Sequence, residues 1–277
     1  MKKIYSICFL AILFIMITSC DNDFDEINTS KTSATSVDPA FILNNAVISS
    51  SIVTLVFEIG IVQQIISPNS GVLTGANFNQ ENRTSFDSNW ASYYRNVIKN
   101  TSDVIRLTKD DPARANLMNM ARIVQAYAFM VLTDSYGDIP YEEGGKGYTS
   151  QIFFPKYENQ ESIYPKIIKE LTEATAALNA SGKIETADIL YGGKIDQWKK
   201  FGYSLLLRAG MRLSAVDPAQ AQAAVKAATG GGVITTNIDN AVIRHDANYR
   251  NPQSNTLNST EAANFYLTKP FVDALKS

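Results

Sequence analysis

Apolar residues recur along most of this chain at steps of three and four, in segments separated by polar loops rich in glycine, asparagine and serine. Asp38-Pro39 is a cap-and-first-turn pair, and after it Phe41 to Ile66 reads as one apolar segment of about seven helical turns. A loop, "SPNSGVLTGANFNQENRTSFDSN", follows from Ser67 to Asn89. Trp90, Tyr94, Val97, Thr101 and Val104 then fall on one helical face. Asp110-Asp111-Pro112 ends that helix and opens another, whose stripe is Leu117, Ala121, Val124, Ala128 and Val131. Small residues at 121, 126 and 128 let a neighbouring helix come close, and a tight turn between the two helices predicts an antiparallel pair. Two more stripes follow: Ile163, Ile167, Leu171, Ala174 and Leu178, then Trp198, Phe201, Leu205, Ala209 and Leu213. Asp217-Pro218 opens an alanine-rich helix that Gly230-Gly231-Gly232 terminates. The expectation is an all-α chain built as a tetratricopeptide-like scaffold of helical pairs with long loops, although no clean 34-residue repeat is present. Strand is expected only at "GVITT" and "AVIRH".

The start of the chain follows another pattern. Met1-Lys2-Lys3 is cationic, and Ile7 to Ile17 is an apolar core of eleven residues, well short of the roughly 20 that cross a bilayer. Ile17-Thr18-Ser19 before Cys20 fits a lipoprotein signal peptidase. This predicts a signal peptide over residues 1–19 and a lipidated Cys20, carrying more than one acyl chain, as the mature N-terminus. Asp21 to Asp38 is polar and lacks periodicity, so residues 20–38 read as a tether and 39–277 as the folded domain.

Composition narrows the function. At 45% apolar and 19% charged residues the chain is an ordinary globular one, and its net charge of −2 disfavours nucleic acid. Cys8 lies in the signal and Cys20 carries the lipid, so no cysteine pair remains for a disulfide. Asp21-x-Asp23-x-Asp25 begins like a calcium loop, but Glu26 stands where glycine is needed and Thr32 where a bidentate Glu is needed. His245 is the single histidine, no G-x-S-x-G is present, and His and Cys clusters for a metal are missing. Carboxylate pairs such as Glu142-Glu143 arise by chance among 27 acidic residues and carry no glycosidase signature. No catalytic residue, metal or cofactor is expected.

Four ordered stretches behind the lipoprotein signal resemble the SusD/RagB family: "DFDEINTSKTSATSVDPAFILNNA", "AYAFMVLTDSYGDIPYEE", "PKYENQESIYPKIIKELTEATAAL" and "WKKFGYSLLLRAGMRLSAVDPAQAQAAV". The resemblance covers the chain from about Asp23 to its end. It implies a lipid-anchored outer-membrane protein of Bacteroidota-type bacteria that faces the cell surface. Such a protein binds oligosaccharide, in some members peptide, and passes it to a SusC-like TonB-dependent transporter. A lipid-anchored glycoside hydrolase and a ligand-free scaffold are the competing readings. Proteins of this type are usually much longer, and the chain stops within an amphipathic segment, "NFYLTKPFVDALKS", so it is expected to be the N-terminal part of a longer protein.

Within this frame, Trp90, Tyr93, Tyr94 and Trp198 sit at helical spacing and are assigned to the core, while Asp134 and Asp138 are assigned to turn capping. Aromatic residues in loops have no stripe to fill, and an exposed ring offers an apolar face to the C–H face of a sugar while nearby amides bond its hydroxyls. The candidate ligand residues are therefore Asn77, Phe78 and Asn79 in the first loop, and Tyr148, Phe153 and Tyr157, with Phe154, in "KGYTSQIFFPKY".

Overall fold

Asp38 caps the first described helix, as the Asp-Pro pair predicts: its carboxylate accepts the Ala40 N–H at 2.8 Å, Pro39 fills the first helical position, and helix α1 runs over Pro39–Ser49. The computed structural model describes residues 36–50, 55–67, 76–78, 80–81, 83–248, 250–251 and 264–277. The segments expected to be a signal and, for the most part, a tether, with Cys20, and also Asn79, lie outside the described residues. The chain divides between Val37 and Asp38, and the architecture below is that of Asp38–Ser277.

The apolar segment from Phe41 to Ile66 is not one helix. α1 ends at Ser49, α2 covers Leu55–Ile61, and Ile65–Ile66 is a short strand, β1. Branched Ile65 and Ile66 suit a pleated surface better than a helix, and a partner settles the matter. That partner is β2, Tyr266–Leu267, which pairs antiparallel with Ile65 opposite Leu267 and Ile66 opposite Tyr266. "GVITT" and "AVIRH" join no sheet, so both strand expectations are corrected: a strand needs a neighbouring strand as well as β-branched residues.

The rest of the described chain is largely helical. α3 (Arg83–Ser92) passes through a π-helical turn at Tyr93–Ile98 into α4 (Lys99–Thr108). Asp111 caps a 3₁₀ turn at Pro112–Arg114, and the long α5 (Ala115–Tyr136) follows. A single turn, α6 (Gly147–Ser150), precedes α7 (Gln160–Ala177), α8 (Ile195–Arg212), α9 (Pro218–Gly231) and a final α10 (Lys269–Lys276). Consecutive helices stack in order: α1 on α4, α4 on α5, α5 on α7, α7 on α8, and α8 on α9. This is the helical-pair scaffold that the stripes predict.

The stripe residues are the core. Leu117, Ala121, Val124, Ala128 and Val131 are buried, as are Ile163, Ile167, Leu171, Ala174 and Leu178. The π turn shifts the earlier stripe. Asn89, Tyr93, Val97, Thr101 and Val104 are buried, so the inward line reaches the α3 side one residue before Trp90 and Tyr94, which are only partly covered. A wide turn breaks the 3.6-residue phase, and extrapolating across it misplaces everything upstream.

Long polar bonds hold the loops to this stack. Arg114 donates to both oxygens of Glu185, at 2.9 and 3.1 Å, and to Asp38 at 2.7 Å, tying the start of α1 to the segment before α8. Asp188 accepts from the N–H groups of Leu190, Tyr191 and Gly193 and from Trp198 Nε1 at 2.7 Å. Between α7 and α8 the helices touch through Gly202, where an added Cβ would lie 2.2 Å from Thr175 Oγ1. Trp198 has no exposed surface and is bonded through its only polar atom. Trp198→Ala is expected to cost about 3–5 kcal/mol, read from chemical denaturation monitored by far-UV circular dichroism.

Candidate functional site

Where α5 ends, the chain needs a sharp exit. Gly137 takes φ +73°, a conformation costly for any residue with a Cβ, and its N–H and carbonyl both return to Thr133, whose hydroxyl donates to Gly137 O at 2.7 Å. Asp138 then accepts the Gln160 N–H at 3.1 Å, and Gln160 Nε2 donates to Thr133 O at 2.6 Å, so the C-terminus of α5 and the N-terminus of α7 are joined directly. Asp134 accepts from the Tyr164 hydroxyl and pairs with Arg212 at 2.9 Å. Both aspartates are thus held by the scaffold: Asp138 caps the start of α7, whereas Asp134, assigned to a turn from sequence, lies within α5 and bonds side chains of two other helices.

Between these helices residues 139–158 form a loop with a stitched neck. Ile139 and Glu158 exchange both backbone hydrogen bonds, at 3.1 and 2.9 Å. Glu158 accepts the Glu142 N–H at 2.6 Å, and Glu143 accepts the Lys156 N–H at 2.8 Å. Lys166, on α7, places its ammonium 2.5 Å from Glu158 and 2.9 Å from Glu142. Burial alone pushes the Glu158 carboxyl up, but the Lys166 ammonium and the Glu142 N–H outweigh it and hold the group below the usual range. The hydrogen bonds to Glu158 and Glu142 raise the Lys166 ammonium in turn, so the pair is charged at neutral pH.

This loop presents its rings to solvent. Tyr148, Phe153, Phe154 and Tyr157 are 85%, 73%, 95% and 65% exposed. Tyr157 lies nearly parallel to Trp90, at 15° with centroids 5.9 Å apart. Trp90 is backed by Tyr94 at 4.8 Å and met edge-on by Tyr136 at 5.1 Å, and Tyr136 meets exposed Phe86 at 6.4 Å. The hydroxyls beneath are fixed: Tyr94 donates to Pro140 O at 2.7 Å and Tyr136 to Phe86 O at 2.6 Å, and burial pushes both phenols up. The result is a pile of rings standing on the scaffold, with Tyr157 outermost.

The candidates named from sequence therefore separate. Tyr148, Phe153 and Tyr157 share one loop, and Tyr157 is brought onto Trp90. Asn77 and Phe78 belong to another corner, where Ile65 and Ala76 form a small second core. Asn77 is committed there: its side-chain oxygen accepts from Ser67 N, and its amide donates to Gly60 O and Ile65 O. Phe78 is 61% exposed, and among the described residues no ring contact joins it to the Trp90 pile. Sequence reasoning missed Phe86 and Tyr136; Trp90, assigned to the core, does pack against it but is only partly buried and also carries Tyr157. A signal was present, since Phe86, Trp90 and Tyr94 are spaced by four and rings so spaced share a face.

A separate groove of about 840 Å³ opens between α7, α8 and α9, lined by Tyr164, Pro165, Arg212, Val216, Asp217 and Gln220 among others. Asp217 is already engaged in capping α9 through the Gln220 N–H. No group of acidic, histidine or cysteine side chains suits a metal among the described residues, and no helix among them is long and apolar enough to cross a membrane.

The profile of the SusD-like family described as "Starch-binding associating with outer membrane" matches residues 30–277. Among solved structures, a chitin-binding protein is 32% identical, with a TM-score of 0.78 over 86% of this chain and 52% of its own. A SusD-like protein labelled Bacteroidetes AC2a is 29% identical, with a TM-score of 0.77 over 87% of this chain and 48% of its own. A SusD/RagB family protein from Bacteroides thetaiotaomicron, at 23% identity and a TM-score of 0.74 over 87% of this chain and 52% of its own, shares the fold. The chain spans about half the length of these structures. No curated protein matches it.

The ring pile can be tested without any ligand. Of the two tryptophans, Trp198 is wholly enclosed, so a change in solvent contact reports Trp90. Tyr157→Ala is expected to shift the emission to the red and to raise acrylamide quenching while leaving the thermal midpoint nearly unchanged, because an exposed ring contributes little to the core.

Proposed function

Since the chain belongs to the SusD-like family, we propose that it captures extracellular glycan at the cell surface, on the aromatic loop 139–158, and hands it to a SusC-like TonB-dependent transporter in the outer membrane. The observation that carries this reading is Tyr157: an aromatic ring left exposed at 65%, yet held nearly parallel on Trp90 by a loop whose neck is bonded at every turn. A rigid ring gives the apolar face of a sugar a surface to stack on at low cost in entropy, and a fixed loop avoids the cost of ordering on binding. The chitin-binding protein at 32% identity supports a glycan as ligand, with chitin oligosaccharides the first to test. A peptide ligand is the alternative within the same family. A hydrolase is disfavoured, because Glu142, Glu143 and Glu158 are all engaged in holding the neck.

Native electrophoresis of the full chain through gels containing single polysaccharides tests this. Retarded migration is expected in at least one gel, with no release of reducing ends. Tyr157→Ala, and Tyr148→Ala combined with Phe153→Ala, are expected to abolish the retardation, whereas Phe78→Ala keeps it. Undiminished retardation of Tyr157→Ala would sink the assignment of this loop.

Attachment to the membrane is assigned to a lipid on Cys20. The eleven-residue apolar core and the Ile17-Thr18-Ser19 that precedes Cys20 support it. Cys20→Ala is expected to move the protein from the membrane fraction to the soluble one, and retention after high-salt washing would exclude the anchor. Recovery of the transporter with the native protein in mild detergent tests the partner.

A further inference from the structure

The neck of the aromatic loop brings two carboxylates together. Glu142 and Glu158 stand on its two sides, sixteen residues apart in sequence, and Glu158 Oε1 accepts the Glu142 N–H at 2.6 Å. Like charges so placed repel unless a cation lies between them. Lys166 is that cation, 2.5 Å from Glu158 and 2.9 Å from Glu142, with its ammonium 5.6 Å from the centre of the Tyr141 ring as well. It projects from α7, whose core face is fixed by Ile163, Ile167 and Leu171. The cation is therefore anchored to the scaffold and its two anions to the loop.

Tyr157 immediately precedes Glu158, so the position of its ring follows from where Glu158 is held. Trp90, its stacking partner, belongs to the far side of the arrangement, on α3. The stacking of the two rings depends on the height of the neck on α7, which the Asp138–Gln160 and Tyr94–Pro140 bonds set at its base. The backbone bridge between Ile139 and Glu158 joins the two arms of the loop to each other, and among the described residues the Lys166 bridges fasten the neck carboxylates to α7.

We propose that Lys166 is a positioning residue of the ligand surface: by clamping Glu142 and Glu158 to α7 it sets the neck of the loop and keeps Tyr157 stacked on Trp90. It needs no contact with ligand to do so. The effect on binding rests on the proposed function of the aromatic loop, while the effect on the rings does not.

The test uses the full chain and reads the rings and the ligand separately. Acrylamide quenching reports Trp90, because Trp198 is enclosed. Lys166→Met keeps the aliphatic stem and removes the charge, and is expected to raise the quenching constant towards that of Tyr157→Ala. Lys166→Arg, whose fork can reach both carboxylates, is expected to restore it. Glu142→Gln is expected to give a smaller rise in the same direction, and serves if Lys166→Met fails to fold. On a polysaccharide that retards the wild type, Lys166→Met is expected to weaken binding about tenfold, the cost of ordering a loosened loop. Wild-type quenching in Lys166→Met and Glu142→Gln, with only a lowered thermal midpoint, would overturn the proposal and leave Lys166 a stabilising residue. If no polysaccharide retards the wild type, the functional reading of the loop fails, and the quenching arm still decides the role of Lys166.

Discussion

Helix α5 is enclosed by α1, α4, α7 and α8, and each polar group it carries into that enclosure has to find its partner there. The solutions are visible one by one. Asn116 exchanges two bonds with the backbone of Asn179, at 2.9 Å each, and so fixes the loop after α7. Asn119 turns back to Ala115 O, and Gln125 reaches Thr101 and Ser102 on α4. Thr133 closes the C-terminus on Gly137. A helix covered along most of its length thus dictates where its neighbours' loops attach. Its exit at Gly137 fixes where the aromatic loop begins, and Gln160 fixes where that loop ends.

The stripes of α5, α7 and α8 are legible in the sequence because a regular helix repeats its burial every three or four residues. Legibility stops where regularity does. The π turn at Tyr93–Ile98 moves the buried line by one residue, which no count of apolar spacing reveals, and Trp90 packs at the edge of the core instead of inside it. The strand at Ile65–Ile66 depends on Tyr266–Leu267, some two hundred residues away, with Thr268 N–H donating to Gln64 O at 3.1 Å beside it. A local pattern cannot contain a partner so distant. The same holds for Arg114, whose bridges to Asp38 and Glu185 join three segments that look like unrelated charged positions when read in order.

The candidate site was half legible for a related reason. Rings in a loop are readable as exposed, and Tyr148, Phe153 and Tyr157 are so. Which helix residue would stand beneath them was not, since that depends on the height at which the neck is fastened. Asn77 shows the converse case. An asparagine in a polar loop suggests hydrogen bonds to ligand, but three backbone groups, on Gly60, Ile65 and Ser67, take its whole side chain. A short amide is better suited to closing a turn than to reaching outward.

This distribution of polar groups bears on what the surface can recognise. Discrimination between sugars comes mainly from buried donors and acceptors, which penalise a ligand that leaves them unpaired. Around the loop those groups are already used within the protein. Glu142, Glu143, Asp138 and Glu158 bond the neck, and the Tyr94 and Tyr136 hydroxyls bond carbonyls. The polar groups left to the rim are open to solvent: Lys146, Thr149, Ser150, Gln151 and Lys156 are exposed, as are Tyr148 and Tyr157. Rim groups exchange water for ligand at small net gain, whereas the rings contribute through their flat apolar faces whatever the substituents. Under the glycan-binding reading proposed above, a surface built this way would sense the presence and orientation of a pyranose face more than the pattern of its hydroxyls. On that proposed reading, such tolerance would suit capture of a polymer at many points along its length, because rings that ignore the substituents meet the same apolar face at every repeat.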